Sequence, residues 1–217
     1  MTPPLGSGAA VLLLALACTG CTSVAEPAEP AVRSAATAAL PTDAGELEEL
    51  LLDEVPSGLP RVADDELDPP AGEKSADDVA AYAEDDAAHQ EEVLGQYGYL
   101  RGWERFWRGD DALTTVFLDQ FDDPGGAATY AEDLARNDAE HYGGQLDRSP
   151  AGLPADCVLM TVEQPDPAHG MAGPAVFSWC GRGVFTVSVA AVRPGMEDAR
   201  AEVAAVVAEQ LERLPPT

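Results

Sequence analysis

Two runs rich in aromatic and β-branched residues constrain the fold of this chain most strongly. Residues 99–108 and 112–121 have the composition of strands, and Gly109, Asp110 and Asp111 lie between them. Glycine and aspartate favour a tight backbone turn, so the two runs predict an antiparallel hairpin. A sheet with antiparallel strands is therefore the starting point for the rest of the chain.

Further segments predict helices and strands on either side of this hairpin. Helical spacing of apolar residues and capping residues predict helices at residues 46–53, 76–94, 124–143 and 197–214, the second closed by Gly95. Apolar and β-branched runs predict strands at residues 157–162, 175–180 and 184–192. Meandering strands with helices at intervals predict an α+β fold, with a mostly antiparallel sheet of about five strands and three or four helices packed on it.

The beginning of the sequence predicts export. Residues 9–17 form a continuous small and apolar run, and residues 1–24 contain no charged side chain. This run is short for a membrane-spanning helix, which needs about 20 apolar residues, and it suits the core of a signal peptide. The run leads into Cys18-Thr19-Gly20-Cys21, which places a small residue directly before a cysteine.

This ending resembles the lipobox of bacterial lipoproteins, in which the cysteine is acylated and becomes the mature N-terminus. The resemblance implies a lipid anchor that includes palmitate at Cys21, with Cys18 as the alternative. Processing at Cys21 leaves two further cysteines, an even number that suits an oxidising compartment. Because no Lys or Arg precedes the apolar run, a plain secretory signal is the alternative to lipidation.

The predicted organisation has three parts. Residues 1–20 form a signal peptide with a lipobox, residues 21–45 form a tether rich in Ala, Pro and Glu, and residues 46–217 form one extracytoplasmic domain. The lipobox, the tether and the hairpin–helix unit at residues 99–142 resemble small lipoproteins of high-GC Gram-positive bacteria that carry a PsbP-like or sensor-like α+β domain. This resemblance implies a protein held at the outer face of the cell membrane, and a secreted protein is the alternative.

The charge balance excludes one class of partner. The chain has 39 acidic and 12 basic residues, a formal net charge of −27 at pH 7. A field of this sign repels nucleic acid and anionic lipid headgroups, so we expect no nucleic-acid partner and a membrane contact made through the lipid anchor alone.

Cys157 and Cys180 form a candidate disulfide. They lie on two predicted neighbouring strands, and the predicted compartment is oxidising. The alternative is a pair of buried free thiols.

A second candidate site is the alternation of Arg101, Trp103, Arg105 and Trp107. On a strand these four side chains share one face, which Tyr99 would join, and cations beside aromatic rings can hold an anionic or planar ligand. The alternative is that the Trp rings cover the sheet and the arginine stems lie over them. A helical backbone would instead group Arg101 with Arg105 and Arg108.

No motif predicts catalysis. The three histidines, His89, His141 and His169, are scattered, and the sequence has no Gly-x-Ser-x-Gly elbow, Walker loop or dinucleotide fingerprint. We therefore expect no metal, no cofactor and no enzymatic activity, and favour a domain that binds a small molecule or an envelope protein. An envelope enzyme with an unrecognised site and a structural or assembly lipoprotein are the alternatives.

Overall fold

The computed structural model describes residues 39–165 and 171–216. The predicted signal peptide, both candidate lipidation cysteines (Cys18 and Cys21), most of the predicted tether and His169 lie outside these residues. The helices in chain order are α1 (Ala44–Glu48), α2 (Ala76–Ala80), α3 (Ala87–Tyr97), α4 (Pro124–Tyr142) and α5 (Met196–Arg213), with 3-10 helices at Asp64–Glu66 and Ala81–Asp86. The strands are β1 (Gly72–Lys74), β2 (Tyr99–Arg108), β3 (Leu113–Phe121), β4 (Gln145–Asp147), β5 (Cys157–Val162), β6 (Ala175–Arg182) and β7 (Phe185–Val192).

All seven strands belong to one antiparallel sheet in the order β1-β2-β3-β7-β6-β5-β4. The structure confirms the predicted α+β class and the hairpin of β2 and β3. The sheet is larger than the predicted five strands because β1 and β4 close its two edges. Each of these strands has only three residues and no apolar alternation, so neither leaves a recognisable sequence pattern.

Helices and connecting segments cover both faces of the sheet. On one face, alternate residues of β7 pack with Val203, Val206 and Val207 of α5. On the other face, Ala131 and Ala135 of α4 pack against β5 and β6. The central strands are therefore buried on both sides, which explains why β7 reads as an almost continuous apolar run.

The predicted helix at residues 76–94 is divided. Ser75 and Asp78 form a capping box at the start of α2, at the residue where the sequence predicts the helix to begin. Glu84 then adopts φ 48° and ψ −109°, which interrupts the helical backbone before α3 begins. The end of α3 also differs: Gly95 lies within the helix, and Gly98 takes the left-handed conformation of the C-cap at φ 73°.

The boundary between tether and domain lies within a segment that is attached to the sheet. Gln120 in β3 donates a hydrogen bond to the backbone oxygen of Pro41 at 2.9 Å, and Asp43 caps α1. Leu47 and Leu51 are fully buried in the core shared by the sheet and α5. Residues 41–55, hereafter the N-terminal segment, therefore belong to the domain. No helix among the described residues is long and apolar enough to cross a membrane.

Candidate functional site

The face predicted to hold a ligand lies beneath the N-terminal segment. Arg105 is only 3% exposed, and its guanidinium donates hydrogen bonds to the backbone oxygens of Leu51 at 3.3 Å and Leu52 at 2.7 Å. The same guanidinium forms an ion pair with Glu48 at 2.9 Å. The arginine therefore binds this chain's own backbone, and its charge is balanced within the domain.

The tryptophans of the same face contribute to the core. Trp107 is 1% exposed, and its indole N–H donates to the backbone oxygen of Asp53 at 3.3 Å. Trp103 is half-buried against the same core, and Arg101 is partly exposed. Because the N-terminal segment encloses Arg105 and Trp107, these four residues do not form an open ligand surface.

Tyr99 does not share this face. A β-bulge between Tyr99 and Arg101 shifts the register of β2 against β3. The shift turns the Tyr99 ring to the opposite side, where its hydroxyl donates to Asp119 at 3.2 Å. Alternation alone predicted the wrong side because it assumes a strand without an inserted residue.

An open groove of about 680 Å³ runs along α5. One wall is α5 itself, with Ala204, Ala208 and Leu211, and the opposite side includes Leu153 from the loop before β5. The volume lies within the range of roughly 300–1,000 Å³ that is typical of small-molecule sites. The small side chains of Ala204 and Ala208 leave room for the groove, and leucines give the groove an apolar lining.

Two charges of opposite sign line this groove. Arg182 is the last residue of β6, and Glu212 lies in the last turn of α5. Arg182 forms no ion pair with any residue in the described ranges, whereas the buried Arg105 and Arg193 are both paired. An exposed guanidinium beside an apolar wall can hold the anionic group of an amphipathic molecule.

A buried polar cluster lies on the α4 side of β2 and β3. The ammonium of Lys74, the only lysine of the chain, is 3.4 Å from Glu104 Oε2. Glu104 also accepts a hydrogen bond from the Tyr82 hydroxyl at 2.9 Å. Asp119 lies on the neighbouring strand and accepts the Tyr99 hydrogen bond described above. Lys74, Glu104 and Asp119 are each less than a tenth exposed.

Burial controls the ionisation of the two carboxyl groups. Loss of solvation, reinforced by the Glu104 charge, raises the pKa of Asp119 to about 7, although the Tyr99 hydrogen bond opposes the change. Burial also raises the pKa of Glu104, against the opposing effects of Lys74 and Tyr82. No sequence pattern predicts this cluster, because its residues are far apart in the chain.

The cysteines form the predicted disulfide. Cys157 on β5 and Cys180 on β6 are directly opposite each other in the strand register and are bonded through sulfur. The groove begins two residues further along β6, at Arg182. The disulfide therefore fixes the strand end that carries this arginine.

The described residues offer no metal site. They contain no group of three or more His, Cys, Asp and Glu side chains that could hold an ion. His89 lies on α3 and His141 on α4, where the latter contacts the Tyr142 ring.

No protein-family model matches the sequence, and no curated protein matches it either. Among solved structures, the extracellular domain of PknH from Mycobacterium tuberculosis is similar with a TM-score of 0.46 and 13% identity. The match covers 81% of this chain and 99% of that chain. Nothing about ligand or activity follows for this chain from a likeness at this level.

Proposed function

We propose that this chain is the binding domain of an extracytoplasmic lipoprotein, acylated at Cys21 or at Cys18, and that it takes a small amphipathic molecule into the groove along α5. The observation that carries this proposal is the groove itself, which combines an apolar wall with Arg182, a cation that has no ion-pair partner among the described residues, on a strongly acidic protein. The ligand has an apolar body that lies against Ala208 and Leu211, and an anionic group that meets Arg182.

Two features support the location. The lipobox-like ending at residues 18–21 predicts export, and the pair Cys157–Cys180 is of the kind that persists in oxidising compartments. Because the domain begins with the N-terminal segment at residue 41, residues 22–40 separate a lipid on Cys21 from the domain. The domain, and with it the groove along α5, would then lie outside the cell.

The geometry supports binding rather than catalysis. Glu104 and Asp119, two acids with raised pKa values, are both buried, and Glu104 contacts Lys74 of β1 and Tyr82 of the 3-10 helix Ala81–Asp86. Neither belongs to the groove, whose charged residues are Arg182 and Glu212. An acid that acts on a substrate must come within hydrogen-bond distance of it, and these two carboxyl groups are covered by the chain itself.

An anilinonaphthalene sulfonate dye serves as the probe, since it combines an apolar ring system with an anionic group. We expect saturable binding to the folded protein, measured by dye fluorescence, with one dye per chain. Ala208→Trp fills the groove from an exposed position on α5 and should abolish binding. Arg182→Ala removes the cation and should weaken binding by about tenfold, as for one lost charge-assisted contact.

Ala201→Trp is the matched control. Ala201 is also exposed on α5 but does not line the groove, so this variant should bind the dye as the original protein does. Equal binding by the Ala208→Trp and Ala201→Trp variants would rule the groove out as the site. Absence of saturable binding to the folded protein would also count against the proposal.

A further inference from the structure

A cluster of five side chains joins the edge of the sheet to the helical segment that covers it. The cluster comprises Lys74, Tyr82, Tyr99, Glu104 and Asp119, contributed by β1, the 3-10 helix Ala81–Asp86, β2 and β3. β1 has only three residues, and β2 is the strand with which it pairs in the sheet. The Lys74–Glu104 pair and the Tyr82–Glu104 hydrogen bond therefore add polar links between this edge and the sheet, beside the apolar packing of Ala80. The Tyr99 hydroxyl, which donates to Asp119, also lies 3.4 Å from the backbone oxygen of Lys74 and so connects Asp119 to β1.

The cluster contains more potential negative charge than positive charge. Lys74 supplies one ammonium, whereas Glu104 and Asp119 supply two carboxyl groups on the same side of neighbouring strands. Glu104 has two direct partners, Lys74 and Tyr82, while Asp119 has the Tyr99 hydroxyl. When Lys74 and Glu104 are both charged, the cluster is neutral with Asp119 protonated and holds one uncompensated buried negative charge with Asp119 ionised.

In the part of the chain that the structure describes, the elements around the cluster supply no second cation. On α2, Asp78 adds a negative charge near Glu104, although its own carboxylate is held by Ser75. On α4, the Tyr130 phenol lies close to Asp119 and its ring packs against Tyr99. The β7 residue opposite Asp119 is Thr186, whose hydroxyl donates a hydrogen bond to the backbone oxygen of Ala127 in α4. The Tyr97 hydroxyl, at the end of α3, donates a hydrogen bond to Asp133.

We propose that this cluster is a pH-responsive clasp, which holds β1, α2 and the 3-10 helix Ala81–Asp86 against the sheet and loosens as Asp119 loses its proton. The proposal does not depend on the groove along α5. When the clasp opens, water reaches the ionised carboxylate and the edge of β2 that β1 covers becomes exposed.

The direction of the pH effect on opening follows from the linkage between proton binding and opening. The pKa of Asp119 is about 7 when the clasp is closed and near the ordinary value of 3.8 when it is hydrated. Between these values the closed form binds more protons, so a rise in pH favours the open form. The opening equilibrium constant should increase by up to about tenfold per pH unit from pH 5 to 7, and should level off above pH 7.

Hydrogen exchange of backbone amides on the full chain measures this opening. Rates are recorded from pH 5 to 8, corrected for the intrinsic pH dependence of exchange, and compared between Gly72–Lys74 of β1 and Ala175–Arg182 of β6. We expect β1 amides to open more readily than β6 amides and to show the stated pH dependence. Equal protection of β1 and β6 at every pH would overturn the proposal, because β1 would then open only with the whole domain.

Asp119→Asn removes the titrating group and retains the shape of the side chain, so the pH dependence at β1 should vanish. Asp138→Asn is the matched control, because burial on α4 raises the pKa of Asp138 to about 6 without contact to β1. The Asp138→Asn variant should keep the pH dependence of hydrogen exchange at β1. If the pH dependence at β1 persists in Asp119→Asn or disappears in Asp138→Asn, Asp119 is not the group whose titration opens the clasp. The comparison of β1 with β6 in the original protein remains decisive if Asp119→Asn does not fold.

Discussion

At the scale of single residues, the space around Gly102 decides whether the buried cluster can form. Gly102 pairs with Asp119 across β2 and β3 and with Lys74 across β1 and β2. A Cβ atom at this position would overlap the Asp119 carboxylate and the Tyr99 hydroxyl. The absence of a side chain is therefore what allows these two groups to meet over the strand.

Gly102→Ala is expected to destabilise the domain by roughly 1–3 kcal/mol, the usual cost of overpacking a rigid site. Gly95→Ala is the control, since no atom lies within 4 Å of its added methyl group and alanine favours the interior of α3. The control should raise stability by roughly 0.5–1 kcal/mol. Denaturant titration measures both changes, and equal effects of the two substitutions would contradict the packing at Gly102.

Features of single residues were predictable where only neighbouring residues in the sequence determine them. The helix predicted at residues 124–143 is found because its ends depend on a few neighbouring residues, with Asp123 as the N-cap and Gly143 as the C-cap. The side taken by Tyr99 depends on a bulge in the pairing with β3. The choice of Gly98 over Gly95 as the helix end depends on where α3 meets the following strand.

At the scale of elements, the N-terminal segment acts as part of the core. Its backbone receives hydrogen bonds from Arg105 in β2 and from Gln210 and Arg213 in α5. Gln210 also accepts the backbone N–H of Leu52 at 3.1 Å. Side chains from two distant elements therefore fix this segment, which closes one face of the sheet.

Leu51→Ala should cost roughly 2–5 kcal/mol of stability, because its fully buried side chain leaves a cavity under α5. Leu40→Ala is the control: Leu40 is 47% exposed just before the segment, and its replacement should change stability by less than about 0.5 kcal/mol. Thermal unfolding of the two variants compares them directly. If Leu51→Ala is as mild as Leu40→Ala, the segment is not part of the core.

The long elements were predictable from periodicity, and the short ones were not. The hairpin, the helices α4 and α5 and the strands β5 to β7 each carry enough apolar repetition to reveal their type. The three residues of β1 and of β4 do not, since pairing to a neighbouring strand alone defines them. The groove was also missed, because Ala204, Ala208 and Leu211 have the same helical spacing as core residues.

At the scale of the whole molecule, the buried carboxyl groups and the net charge both make the folded state less stable as the pH rises. Burial raises the pKa of Asp119 to about 7 and that of Asp138 to about 6, so the folded state binds more protons than the unfolded state between pH 4 and 7. Higher pH also increases self-repulsion in a chain whose formal charge is already −27. The lowered pKa of Asp78 acts below pH 4, outside this range.

We therefore expect the free energy of unfolding to fall by roughly 2–4 kcal/mol between pH 5 and pH 8. Denaturant titrations across this range measure the change. The double variant Asp119→Asn and Asp138→Asn should show a much weaker dependence. Stability that rises with pH would contradict the burial of these two acids.

We propose that the disulfide-containing domain is held outside the cell by a lipid anchor. Intact mass spectrometry of the protein from its native membrane fraction, with and without reduction, tests both the anchor and the disulfide. We expect a chain that begins at Cys21, or at Cys18 as the alternative, carries a diacylglyceryl group and gains two hydrogen atoms when Cys157–Cys180 is reduced. An unmodified N-terminus recovered from the soluble fraction, with no mass change on reduction, would contradict both the anchor and the disulfide.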